Sequence, residues 1–224
     1  AIPYSFAADF RLEVRGLSGE LESNVEAVMS TVNTSGDLDE QRVRRQFREA
    51  ILKGLRAKGY YEPQIDFHNV QDIMGRTVLV ADVVAGEPIL IEDINVNITG
   101  EAINDSDYLD LLRTVPVKGD VLDHGKYDRF KSTLTGLALR KGYFDAQLTR
   151  SQLAVAPGLY QGFWFIDYNS GGRYRFGHVT FTNSQIRDDY LENFVPFNEG
   201  QYYTSEQLAN FRRRLSTTNW VHSA

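Results

Sequence analysis

The sequence predicts an α+β fold built from tandem copies of one unit, strand-helix-helix-strand-strand, in which a three-stranded mixed sheet packs on two helices. Three observations predict it. A Lys-Gly-aromatic-aromatic signature recurs, as Lys58-Gly59-Tyr60-Tyr61 and Lys141-Gly142-Tyr143-Phe144, at an offset of 83 residues. A second pair of landmarks keeps nearly that spacing: Gly86-Glu87-Pro88 before Ile94 to Ile98, and Gly171-Gly172-Arg173 before Phe176 to Phe181. Between the landmarks, apolar residues switch from a period of two to a period of four, the mark of strands alternating with helices. The period of about 85 residues divides the 224-residue chain into copies 1-86, 87-172 and 173-224. The third copy lacks its last two strands and ends in the weaker echo Thr218-Asn219-Trp220-Val221.

In the first copy, Phe10 to Leu17 alternates as a half-buried strand, and a helix runs from Glu20 to about Val32. The breaker cluster Thr34-Ser35-Gly36-Asp37 follows, and an Asp37-x-x-Glu40 box opens a second helix with Val43, Phe47, Ile51 and Leu55 on one face. Gly59 stands at the helix-stop position, which explains the signature without a ligand: the helix ends and two aromatics drop onto the sheet. Glu62 to Val70 and Thr77 to Ala85 then form a hairpin turning at Asp72 to Gly75.

The second copy repeats the order: strand Ile89 to Thr99, short helix Asp107 to Thr114, Pro116 as breaker, helix Gly125 to Arg140, strands Ala146 to Val155 and Gln161 to Tyr168. Phe130, Leu134 and Leu137 or Ala138 form the buried stripe. In the third copy the pattern predicts a strand Tyr174 to Thr182, a helix Arg187 to Asn193, and a helix opened by Thr204-x-x-Gln207 with Leu208, Phe211 and Leu215 inward. Without its closing strands that helix keeps an apolar face uncovered.

Composition removes several function classes. There is no cysteine, and the four histidines at 68, 124, 178 and 222 are too scattered for a metal cluster, so no metal and no thiol chemistry is expected. The net charge of -6 is the reverse of a nucleic-acid footprint. No run approaches the ~18 apolar residues of a spanning helix. Ala1 follows no charged n-region or apolar h-region, which fits a processed chain or a fragment. The usual nucleophile-elbow, phosphate-loop, dinucleotide and zinc-helix motifs are missing, so no catalytic residue and no cofactor is expected. The carboxylate pairs Glu92-Asp93, Asp188-Asp189 and Asp105-x-Asp107 sit at element starts, where they cap amides, and the runs Arg42 to Arg45 and Arg212 to Arg214 read as solvated helix faces. A cleft enzyme near Tyr168, Tyr174 and Tyr202 has no readable nucleophile and base.

The informative feature is the strand edge that so small a sheet leaves open, with unpaired amides and carbonyls able to accept an extended partner. The first candidate is Glu62, Gln64, Ile65, Asp66, Phe67, His68 and Val70, where Pro63 and Asp66 restrain promiscuous pairing; the second is Gln147, Leu148, Thr149, Arg150 and Leu153.

These copies, with Lys-Gly-Tyr-aromatic at the second helix end, resemble polypeptide-transport-associated (POTRA) domains, the periplasmic repeats of the Omp85 superfamily. The runs Leu137 to Asp145, Ile166 to Gly177, Ser184 to Asp188 and Val195-Pro196-Phe197-Asn198-Glu199-Gly200 are similar to the TamA family within it. The resemblance implies a periplasmic arm at the outer membrane of a Gram-negative bacterium, joined to a C-terminal membrane barrel. It also implies a TamB-like inner-membrane-anchored partner and unfolded outer-membrane clients, autotransporters among them, with docking on the strand edges. The alternative is a structural spacer that orients the barrel and binds no peptide. Asn219, where the family carries Gly, departs from the pattern.

Overall fold

The computed structural model describes residues 4-6, 10-32, 39-182, 184 and 186-217; for 4-6 and 10 only the backbone is described. The breaker cluster at 34-37, the Thr218-Asn219-Trp220-Val221 echo, Gln185 and His222 lie outside these residues. Two compact units are present: Ala1–Ile94 with Pro116–Tyr127 and Leu153–Trp164, and Asn95–Val115 with Asp128–Gln152 and Phe165–Ala224.

The first repeat forms β1 (Tyr4–Phe6), β2 (Phe10–Arg15), α1 (Gly19–Met29), α2 (Glu40–Arg56), β3 (Gln64–Gln71) and β4 (Thr77–Val84). The sheet order is β1-β2-β4-β3, with β2 parallel to β4 and β3 antiparallel to it. The expected mixed sheet is there, with one short strand added beside β2. Val43, Phe47, Ile51 and Leu55 of α2 are all buried, against Leu12, Leu79, Ala81 and Val83 of the sheet and Val25 and Met29 of α1. A stripe at every fourth position turns one side of the helix inward, and that burial rather than propensity holds it.

The cap of α2 differs from the expected one. The helix starts at Glu40 and Asp39 accepts from Arg42 N at 2.7 Å, so the first turn is closed by Asp39 and Glu40 is its first residue. Asp39→Ala is expected to remove about 1 kcal/mol of stability, read as a lower urea midpoint with an unchanged slope. Glu40 instead pairs with Arg44 one turn on.

At the other end, Gly59 has φ +92, Tyr60 N donates to Leu55 O and Gly59 N to Arg56 O, the paired bonds of a left-handed helix stop. Gly142, at φ +83, ends its helix in the same way, with Tyr143 N on Ala138 O. The aromatics divide. Tyr60 packs on the first core and Tyr143 is buried, whereas Tyr61 meets His124 and Phe144 lies edge-on to Tyr174 and Tyr203. Only the first aromatic of each pair therefore turns inward, because successive extended residues face opposite ways.

The second repeat supplies β5 (Leu90–Thr99), α3 (Ser106–Leu112), α4 (His124–Lys141), β6 (Gln147–Ala156) and β7 (Gln161–Asn169), with sheet order β5-β7-β6. Leu90 N bonds Tyr160 O and Ser170 N bonds Thr99 O, so β5 and β7 run the same way. In the first unit Trp164 is buried edge-on to Tyr127; in the second, Phe130, Leu134 and Ile166 are buried.

The third repeat contains α5 (Asp188–Leu191), which continues as a 3-10 turn, and α6 (Ser205–Ser216), capped by Thr204 on Gln207 N as the sequence predicts. The strand expected at Tyr174 to Thr182 does not form; a single bridge joins Arg175 to Tyr202. In the first two repeats the first strand is held by the repeat's last strand, and the described residues of the third include none to pair with. Leu215 is buried, while Leu208 and Phe211 are only half-buried.

Candidate strand-edge interface

Both sheets place the same element at an edge: β3 beside β4, and β6 beside β7. In each case the hairpin's first strand is excluded from the centre because the second strand pairs in parallel with the opening strand of the repeat. The side chains expected at the first edge are arranged unequally. Glu62 is not part of the strand: β3 begins at Gln64, and the Glu62 carboxylate accepts from Tyr160 OH at 3.1 Å. Pro63, just before the strand, lacks the N–H that would extend the ladder. Ile65 is buried, Phe67 is half-buried beneath the Arg48 guanidinium, and Arg48 also donates to Ile65 O. Gln64, Asp66 and His68 face solvent, Val70 is half-buried, and His68 Nδ1 lies 3.2 Å from Asp82 on the neighbouring strand.

The second edge is barer. Gln147, Leu148, Thr149, Arg150, Ser151 and Gln152 are all exposed, and Leu153 is half-buried. Arg150 stacks over Phe165 of β7 at 4.2 Å, and Thr149 Oγ1 donates to Asp167 O. An open strand edge of this kind can accept an extended segment through main-chain hydrogen bonds.

The carboxylates set aside as catalysts cap and bridge. Asp105 accepts from Asp107 N at the start of α3, from Lys141 Nζ at 2.6 Å and from Tyr143 OH at 2.7 Å. Burial pushes its pKa up most strongly, but the lysine, tyrosine and amide donors together outweigh burial and leave it below the ordinary value. Burial, with hydrogen bonding to Tyr168, pushes the Tyr108 hydroxyl far above its usual range, and burial with Asp105 does the same for Tyr143. Phenols so raised stay neutral, and the Tyr143 hydroxyl donates to Asp105. The tyrosines named for a cleft have other partners: Tyr168 bonds Tyr108 in the interior, Tyr174 bonds Asp145, and Tyr202 lies beneath Arg173 and Arg175. A cavity of about 400 Å³ in the second unit is lined by Asp105, Lys141, Tyr143, Arg173 and Tyr202, whose charges are already paired. Among the described residues no three potential metal ligands cluster, and no helix is long and apolar enough to cross a membrane.

The family model "POTRA: Surface antigen variable number repeat" matches residues 92–158 and 174–222, and the model "POTRA domain TamA domain 1" matches residues 11–85. The chain belongs to the POTRA domain family, whose domains are non-enzymatic interaction modules. Among solved structures, the chain is similar to Haemophilus influenzae BamA POTRA3-5, at 16% identity over 96% of this chain and 86% of that one, with a TM-score of 0.46. It is also similar to POTRA1-3 of the periplasmic domain of Omp85 from Anabaena, at 15% identity over 95% and 84%, TM-score 0.35. Against BamA from Haemophilus ducreyi lacking POTRA domains 1-3, identity is 14% over 76% of this chain and 32% of that one, TM-score 0.35.

What sequence reading missed is a second internal echo, Val115-Pro116-Val117-Lys118-Gly119 and Val195-Pro196-Phe197-Asn198-Glu199-Gly200, just ahead of α4 and α6. The one-residue difference in spacing hides it from a fixed-period search.

Proposed function

We propose that this chain is a periplasmic binding arm of a TamA-like outer-membrane assembly factor, divided into repeats at 1-86, 87-172 and 173-224. Its β3 and β6 edges take up extended segments of a TamB-like partner and of outer-membrane clients, autotransporters included. The observation that carries this reading is the placement of the hairpin's first strand at the edge of both sheets. The barrel it serves lies C-terminal to these repeats, at the outer membrane of a Gram-negative cell.

A proline at Ile65 is a poor test, because that side chain is buried and its loss would perturb the core. Photocrosslinking residues at Asp66 and Thr149, in the full-length protein inside cells, separate docking from packing. Both positions are expected to capture a partner or client polypeptide, while a probe at the exposed helix position Glu49 captures none. Capture nowhere would favour the spacer reading, in which the repeats set distance and bind nothing; capture at Glu49 alone would overturn docking on the strand edges.

A further inference from the structure

Two places where one repeat meets the next are built from the same main-chain bonds. At the first, Ile89 N donates to Gly59 O at 2.7 Å, Leu122 N to Ile89 O, Ile91 N to Asp120 O, and Gly119 N to Ile91 O. At the second, Tyr174 N donates to Gly142 O at 2.8 Å, Tyr203 N to Tyr174 O, Phe176 N to Gln201 O, and Gly200 N to Phe176 O. The isolated antiparallel bridges match as well, Leu90 with Val121 and Arg175 with Tyr202. In both, a clip made by the opening segment of the repeat and the segment before its long helix, joined by one antiparallel bridge, presses one N–H onto the carbonyl of the glycine that stops the preceding helix.

The end of a helix leaves carbonyls without internal partners, and each must find a donor or water. At α2 the donors come from the following repeat: His124 N takes Ala57 O, and Ile89 N takes Gly59 O. At α4 they are Arg173 Nε on Lys141 O, and Tyr174 N on Gly142 O. The approach is too close for a side chain. A Cβ at Gly59 would stand 2.5 Å from Leu122 O, and one at Gly142 would stand 2.9 Å from Tyr203. Glycine is thus required twice at one position, for its left-handed backbone and for the neighbour lying on it. Side-chain contacts flank each clip, with Lys58 to Asp123 and Tyr61 to His124 at the first, and the ring contact of Phe144 with Tyr174 at the second.

We infer that one clamp is used twice, in which each repeat caps the long helix of the repeat before it, so that folding passes from repeat to repeat through the helix-stop glycine. Gly86-Glu87-Pro88 is then a short link pinned beside a hydrogen-bonded clip rather than a free hinge. Nearest-neighbour terms of this kind make a repeat array cooperative.

Amide exchange on the 224-residue chain tests this. Ile89, Leu122, Tyr174 and Tyr203 amides are expected to be protected. Asparagine tolerates the left-handed conformation but not the crowding. Gly59→Asn is therefore expected to speed exchange at Ile89 and Leu122 by about tenfold or more, with Tyr174 and Tyr203 unchanged. The control is Gly75→Asn, which has the same backbone demand at φ +75 and nothing within 4 Å of an added Cβ; it is expected to leave all four amides unmoved. Unprotected Ile89 and Tyr174 amides in the parent chain, or equal rates in Gly59→Asn and Gly75→Asn, would overturn the clamp. Should Gly59→Asn fail to keep β2 to β4 protected, Gly142→Asn is read at Tyr174 and Tyr203 by the same criterion. If neither variant folds, protection in the parent chain decides.

Discussion

Asp105→Ala is expected to cost about 3 kcal/mol, because it withdraws the shared partner of several part-buried donors at once. The Asp105 side chain is 6% exposed, and Lys141 and Arg173 beside it are 16% and 15% exposed. Losing the carboxylate strips the start of α3 of its cap, leaves Tyr143 OH without its acceptor, and leaves Lys141 with Asp107 alone. Asp105→Asn keeps the shape and the amide contact but not the charge, so it is expected to fall between parent and alanine variant. The pH dependence has a fixed sign. A carboxylate whose folded pKa lies below its unfolded value, about 3.9 for aspartate, contributes its full stability above that value. The contribution fades as the pH falls through the lower, folded value. Exchange protection of α3 and α4 should hold at neutral pH and fade below about pH 4 in the parent chain. A parent chain and an Asp105→Asn variant with identical acid profiles would show that other carboxylates set the acid limit.

Phe47→Ala should be costlier still, about 3 to 5 kcal/mol, and should unfold much of the first repeat. Phe47 is 1% exposed and stands in the α2 stripe between Val43 and Ile51, facing the sheet. The loss combines apolar surface returned to water with a cavity that the surrounding core cannot fully close. A whole domain is marginal by only 5 to 15 kcal/mol, so this single truncation removes a large share of what holds β2, β3 and β4 together. Circular dichroism during urea unfolding is the direct check. A midpoint shift no larger than that of an exposed substitution such as Glu49→Ala would mean that the core is not centred on α2. Through the clamp, the damage should also reach the amides of Ile89 and Leu122.

Where the chain was readable in one dimension, the information was local. The α2 and α4 stripes, the stop at Gly59 and Gly142, the Thr204 cap and the hairpins all depend on residues within a few positions of each other, and periodicity and turn chemistry report such neighbours directly. The placement of the hairpin's first strand at an edge was expected instead from the POTRA resemblance. The cap of α2 is Asp39, whose carboxylate accepts from Arg42 N. Other features depend on residues far apart, to which periodicity is blind. Tyr174 to Thr182 has strand-like residues but no ladder, since a strand exists only with a partner. Glu62, read as edge, is held by Tyr160, 98 positions away. The coincidence of the same bonds at Gly59 and Gly142 emerged only when segments 30 or more residues distant were brought within 3 Å. Local spacing records which side of an element is apolar and where it stops; which far segment then closes its open hydrogen bonds is settled by burial and main-chain geometry, and these exist only in the folded chain.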